Sequence, residues 1–252
     1  MHSRWSDAAA AAMPGLLGAR VYTSRLLGQD ATLVMHGGGN TSVKVVEADL
    51  FGEQLDTLYV KGSGSDLATV TEAGFAPVRL DRLVALSGIE ALSDSEMAQQ
   101  LKLACTRDAP APSVEAILHA IIPDRYVDHT HADAVLTMTN TSKGREHIED
   151  CYGDLVVVVD YVMPGFALAK RCAQEFPERR TDRTIGMILM NHGVFSFGDT
   201  ARESYERMIA LVDRAERYLD THGAAGLPEV TAADRGPRRE RVAALRGELS
   251  AA

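Results

Sequence analysis

A chain of 252 residues that is 46% hydrophobic and 24% charged, with 9 Pro and 21 Gly, has the composition of one large globular domain or of one domain and a fragment. Wholesale disorder is excluded. Acidic residues outnumber basic ones by 35 to 26, a formal net charge of −9 with no Lys/Arg block, which argues against a nucleic-acid partner.

The alanine run that follows Asp7 is broken by Pro14 and reads as an amphipathic first helix, not a signal peptide. No stretch reaches the roughly 18 apolar residues of a membrane span. The expectation is a soluble, cytoplasmic protein with no membrane partner. A short apolar run, Ala31 to Met35, leads into His36-Gly37-Gly38-Gly39, and the β-branched residues from Asn40 to Val46 read as a strand. A second strand, Thr57 to Lys61, runs into Gly62-Ser63-Gly64-Ser65. Serines bound a helical segment from Ser93 to Cys105. Pro112-Ser113 opens another helix, Val114 to Ile122, with Ser113 as its N-cap. Strands are expected at Tyr126 to His131 and, buried, at Leu155 to Asp160.

A helix from about Phe166 to Phe176 precedes a hairpin over Ile185 to Phe197, turning at Asn191-His192-Gly193. The longest helix spans about Ala201 to Thr221, where Tyr205, Met208, Ile209, Val212, Ala215 and Leu219 recur at spacings of three and four. From Gly223 onward aromatic residues vanish and two prolines appear. The chain therefore divides into a domain over 1–222 and a linker or tail over 223–252. Cys105, Cys151 and Cys172 have no CxxC spacing, which fits a reducing compartment and argues against both a disulfide framework and a thiolate metal site.

His129-Thr130-His131 is the sharpest chemical feature. Residues two apart on a strand face the same way, so both imidazoles can converge on one ion. His192, in the hairpin turn, is the third candidate. Three neutral imidazoles with an open fourth position describe a catalytic zinc site, although other first-row divalent ions also suit imidazole. Asp128 and Asp133 could orient those rings, but solvation is the plainer reading for both. Glu115 sits at a helix start, where it either complements the helix dipole or serves chemistry. His119 follows it by four residues, on the same face. The turns around Gly37 and Gly64 offer backbone N–H groups suited to phosphate oxygens. Lys44 and Lys61 could add charge there, with a solvated outward position as the default. His147, in a charged stretch, reads as solvated.

GGGNTSVK, KGSGSDL, PSVEAILHA, DHTHADAV and MNHGVFSFGDT occur in that order. Together they resemble the class II aldolase/adducin family, most of all the aldolase portion of the bacterial rhamnulose-phosphate aldolase group that can be fused to a dehydrogenase. The resemblance covers roughly Trp5 to Gly223. It implies a three-layer αβα fold, an α/β architecture with a central, mainly antiparallel sheet, assembled as a homotetramer with active sites between subunits. Carried over by position, His129, His131 and His192 match the family's zinc ligands and Glu115 matches its base. Asn40, Ser63, Gly64 and Ser113 match positions that hold the substrate phosphate.

Val114 replaces a second phosphate-site serine, and Ser63-Gly64 stands where a threonine-glycine turn is usual. The family's tyrosine acids have no secure match. Tyr152 and Tyr161 are available, Tyr161 being the one expected to pack in the core. The implied reaction is metal-dependent cleavage of a ketose 1-phosphate, such as rhamnulose 1-phosphate, to dihydroxyacetone phosphate and a small aldehyde, through a zinc-stabilised enediolate. Related sugar-phosphate epimerases and decarboxylases, and a non-catalytic adducin-like interaction module, are the competing readings.

Overall fold

The computed structural model describes residues 1–224. Seven strands form one sheet: β1 (Asn40–Ala48), β2 (Gln54–Lys61), β3 (Phe75–Arg79), β4 (Tyr126–Thr130), β5 (Val156–Val159), β6 (Gly186–Leu189) and β7 (Gly193–Gly198). Their spatial order is β3-β2-β1-β4-β7-β6-β5. Every neighbouring pair is antiparallel except β5 with β6. The mainly antiparallel sheet expected from the family resemblance is what forms.

Side-chain alternation along each strand divides the core into two layers. On one face Leu58, Val60, Val127, Phe195 and Phe197 pack with α3 (Leu80–Ser87), α4 (Asp94–Leu103), α5 (Ala116–Ile121) and α8 (Phe166–Arg179). On the other, Val43, Tyr59, Phe75 and Tyr126 pack with Val21 of α2 (Gly15–Gly28) and Ala201 of α9 (Ala201–Thr221). Three further α-helices, α1 (Asp7–Ala11), α6 (Asp133–Thr139) and α7 (Gly144–Tyr152), and two 3-10 turns, Glu72–Gly74 and Gly153–Leu155, complete the helical elements of the described residues. None of the described helices is long and apolar enough to cross a membrane.

Several local expectations give way. The alanine run forms only α1, one turn that buries nothing; the chain restarts at Pro14, which stands at the N-cap of the well-buried α2. The apolar run from Ala31 opens as a turn over residues 31–33. Ser113 does not cap a helix beginning at Val114. Its N–H donates to Lys61 O at 3.2 Å, and a bridge between Gly62 and Pro112 holds this segment beside β2. The helix therefore starts at Ala116, with Glu115 as N-cap. α8 runs past Phe176 through Pro177 to Arg179; the proline has no N–H to donate to the Ala173 carbonyl, so the last turn carries on without that bond. By contrast the helical segment read from Ser93 forms as α4, with Ser93 as its N-cap in a reciprocal capping box with Glu96. Beyond Ala224 the tail read from Gly223 lies outside the described residues.

Candidate metal centre and its surroundings

His129 occupies β4 and His131 follows its end, so both rings emerge on one side of the sheet. β7 lies against β4 with His129 opposite Phe195 and Thr130 opposite Val194, which brings the β6–β7 turn, and His192 with it, beside the same strand end. Asn191 takes a left-handed backbone (φ 59°), tolerated by asparagine, and its Nδ2 donates to Thr139 O at 2.9 Å. Ring centroids are 4.9 Å apart for His129–His131, 5.1 Å for His129–His192 and 5.2 Å for His131–His192. One ligand nitrogen from each ring lies within 4.8 Å of the others. The three histidines singled out in the sequence form one cluster.

Burial lowers the pKa of His131 and His192 and takes that of His129 well below the usual imidazole range. Neutral rings keep a lone pair for an ion. His129 Nδ1 lies 3.2 Å from Val194 O, so its proton belongs there and Nε2 faces the cluster. His131 Nε2 is 3.0 Å from that Nε2. Nitrogens this close, in a buried pocket without a thiolate, fit a first-row divalent cation.

Glu115 enters from α5. Its Oε2 accepts from Asn40 Nδ2 at 2.5 Å and lies 3.5 Å from His129 Nε2; its Oε1 is 3.3 Å from His192 Nε2. Among the described residues, Oε1 and His192 Nδ1 are both buried without a hydrogen-bond partner, a costly state that a bound ion or substrate would relieve. Burial raises the Glu115 pKa, opposed by His192, the Asn40 hydrogen bond and the Lys61 charge. A buried carboxyl with a raised pKa beside a metal-competent cluster is suited to moving a proton.

The two glycine-rich turns abut. A Cβ on Gly37 would touch Gly64, at 3.7 Å. Lys61 is buried, not solvated: its Nζ donates to Gly37 O at 3.0 Å and to Ser65 O at 2.5 Å, tying the turns together, and burial lowers its pKa. The Ser63 N–H is spent on Ala111 O, whereas among the described residues those of Gly37 and Gly64 have no partner. Ser63 and Gly64 are exposed; Ser113 is buried, its Oγ accepting from Glu115 N at 3.2 Å.

Other expectations shift. Lys44 is partly buried, and its Nζ donates to the carbonyls of His119, Ile122 and Asp124; burial brings its pKa down to about 8. Asp128 points away from the imidazoles into a buried pair with Arg20, and Asp133 is exposed at the start of α6. Tyr161 is half exposed, while Tyr152 is the buried one, donating to Leu211 O at 2.9 Å. His147 is not merely solvated; its Nδ1 lies 3.0 Å from Tyr218 Oη. His119, in the sequence only a face-mate of Glu115, proves to be fully buried against Asn40 and Ser42. Its four-residue spacing from Glu115 is the available signal.

The family model for the class II aldolase and adducin N-terminal domain matches residues 19–219. A Bacillus subtilis (strain 168) protein described as the uncharacterized oxidoreductase YuxG is 37% identical over 218 residues, a match that takes in 86% of this chain and 31% of that protein. The chain thus spans less than a third of that relative's length. The N-terminal class II aldolase domain of a conserved protein from Thermoplasma acidophilum superposes with a TM-score of 0.79 at 40% identity, covering 87% of this chain and 99% of that one. The L-fuculose-1-phosphate aldolase of Thermus thermophilus shares the fold, at a TM-score of 0.55 and 16% identity over 86% and 98% of the two chains. The matched segment holds every strand of the sheet and all three converging histidines, and the chain belongs to the class II aldolase and adducin family.

Proposed function

We propose that this chain is a metal-dependent aldolase that cleaves a ketose 1-phosphate, rhamnulose 1-phosphate-like, to dihydroxyacetone phosphate and a small aldehyde. The observation that carries the reading is Glu115 Oε1, buried, unpartnered among the described residues and 3.3 Å from the nearest imidazole of a three-histidine cluster. His129, His131 and His192 would hold the ion, zinc in the first instance. When bound, it supplies Lewis-acid stabilisation of negative charge developing on substrate oxygens.

The remaining work falls to the chain. As the carbon–carbon bond breaks, the hydroxyl on the aldehyde half gives its proton to the Glu115 carboxylate at Oε1 and becomes the carbonyl; the bonding pair passes to the dihydroxyacetone phosphate half, and Glu115 then delivers that proton to its carbon. In the synthetic direction the carboxylate takes the proton back. The Gly37 and Gly64 amides, with Ser63 and Ser113, would receive the substrate phosphate and align the reacting carbons.

The test joins metal analysis of the purified protein to an assay of dihydroxyacetone phosphate release from ketose 1-phosphates. We expect close to one divalent ion per chain and release that stops on chelation and returns with zinc. Metal-loaded protein that epimerises or decarboxylates sugar phosphates, without releasing dihydroxyacetone phosphate, would overturn the aldolase assignment. Zinc at 100 times its dissociation constant should also stabilise the fold by about 2.7 kcal/mol, visible as a raised Tm.

Gly193 gives a geometric check on the cluster. A Cβ there would stand 2.5 Å from Thr130 O, 2.9 Å from His129 Cε1 and 3.0 Å from His131 Cδ2. Gly193→Ala should therefore displace two of the rings and weaken metal binding by roughly 10–100-fold, the range seen when groups that orient ligands are disturbed. A dissociation constant unchanged by calorimetry would count against these histidines as the ligands.

We further propose a homotetramer. Leu50 and Phe51, at the tip of the β1–β2 hairpin, are 94% and 86% exposed, and subunit contact is one way to cover such side chains. Multi-angle light scattering should give four chains per particle; a monomer with full activity would contradict this.

A further inference from the structure

A buried line of hydrogen bonds runs from the sheet to Glu115 without touching the imidazole cluster on the way. Ser42 Oγ lies 2.8 Å from His119 Nδ1, His119 Nε2 lies 2.5 Å from Asn40 Oδ1, and Asn40 Nδ2 lies 2.5 Å from Glu115 Oε2. Ser42 and His119 are wholly buried, and Asn40 and Glu115 nearly so.

The direction of every bond follows from one end. An ionised carboxylate only accepts, so the Asn40 amide must turn its Nδ2 toward Glu115 and its Oδ1 toward His119. A carbonyl oxygen only accepts as well, so His119 must carry its proton on Nε2. Its Nδ1 is then an acceptor for the Ser42 hydroxyl. This requires a neutral ring, which burial and the nearby charges of Lys44 and Arg20 enforce. Lys44 also holds the His119 carbonyl, with Nζ at 3.1 Å, so backbone and ring of that residue are both fixed.

We infer that Asn40 and His119 are positioning residues for the Glu115 carboxylate. The inference rests on the reading of Glu115 as the proton-transferring group. The line anchors Oε2 and leaves Oε1 as the oxygen that faces the reaction. Turning the Asn40 amide toward a phosphate would strand Oε2 and the His119 Nε2–H together in the core. No other hydrogen bond within the described residues reaches either atom, although His129 Nε2 stands 3.5 Å from Oε2.

Steady-state kinetics of the metal-loaded protein test the positioning role. His119→Phe keeps a ring against Phe195, 5.5 Å away between centroids, but removes both nitrogens. It should lower kcat by about tenfold, the middle of the range for coupled contacting residues, and leave KM for the ketose 1-phosphate within about twofold. Asn40→Ala should do the same, and His119→Gln, which restores a donor for Asn40, should recover most of the loss. In a Glu115→Gln background His119→Phe should cost nothing further. An unchanged kcat in Asn40→Ala, with or without a rise in KM, would overturn the inference, as would an equal His119→Phe effect in both backgrounds.

A second measurement does not depend on activity or on the variants folding. Proton–nitrogen correlation spectra of the wild-type imidazoles should show His119 as the Nε2–H tautomer, and an Nδ1–H tautomer would reverse the line and end the proposal. If wild-type, metal-loaded protein releases no dihydroxyacetone phosphate, the aldolase reading fails alone. The tautomer and the orientation of Glu115 in a crystal of His119→Phe then still decide the positioning role: one unchanged carboxylate orientation in that variant defeats it.

Discussion

Replacing Glu115 by glutamine is expected to cut turnover of the metal-loaded protein by about 10² or more while leaving fold and metal content intact. Two readings of this residue compete. As a helix-start carboxylate it would contribute well under about 1 kcal/mol through the helix dipole, and its loss would leave turnover untouched. Its setting disfavours that role: the side chain is buried, and the helix it caps is only Ala116–Ile121. Glutamine keeps the shape, and its amide oxygen can still accept from Asn40 Nδ2, 2.5 Å from the present Oε2. What glutamine cannot do is take or return a proton. It also relieves the desolvation that raises the carboxyl pKa, so stability should hold or rise. Metal must be measured on the same sample, because a carboxylate 3.3 Å from His192 Nε2 could contribute to ion binding as well. Full turnover in a metal-loaded Glu115→Gln protein would defeat the proton-transfer role even with the histidine cluster confirmed.

Much of this site is legible in the sequence. The period of two in His129-Thr130-His131 survives because β4 is a true strand, and the His192 turn survives because its flanking apolar runs pair as β6 and β7. The periodicity of α9 gives its bounds because a long amphipathic helix is decided by its own pattern. What the sequence hides depends on contacts remote along the chain. The unassigned α3, α6 and α7 are short, seven to nine residues, and an apolar stripe over so few turns is a weak signal in a sequence. Lys44 and Lys61 are charged residues on strands, for which a solvated position is the sound default. Each instead closes its ammonium on backbone carbonyls from loops or helix ends, most of them far along the chain. The same holds for Ser113, whose backbone is claimed by Lys61 before it can cap a helix. Local rules place elements, and partners brought in by topology decide what buried polar groups do.

Asp128 is the residue where that rule has its largest energetic consequence. From sequence it reads as a solvated neighbour of the histidines, with ring orientation as the alternative, yet it lies on the opposite face of β4. There Oδ1 stands 2.5 Å from Arg20 Nη2 of α2, an ion pair with both side chains wholly buried. Ser204 Oγ donates to Oδ2 at 2.5 Å, and Arg20 also reaches Thr23 Oγ1 at 2.5 Å. Two charges out of water are tolerable only together, so Asp128→Asn, nearly isosteric, should cost about 3–5 kcal/mol by stranding the guanidinium. Against a typical total of about 5–15 kcal/mol this is a large fraction of the fold's stability. Urea unfolding should show it as a lower midpoint with an unchanged slope. The double variant Arg20→Met with Asp128→Leu removes both charges and should cost far less than the single change, because apolar replacements of a buried pair are often neutral. Where Asp128→Asn remains folded it should keep its metal affinity, since the carboxylate touches none of the three imidazoles. A loss below about 1 kcal/mol in Asp128→Asn would show that the pair is hydrated or dispensable, and would remove α2 from the elements that hold β4, and with it His129, in place.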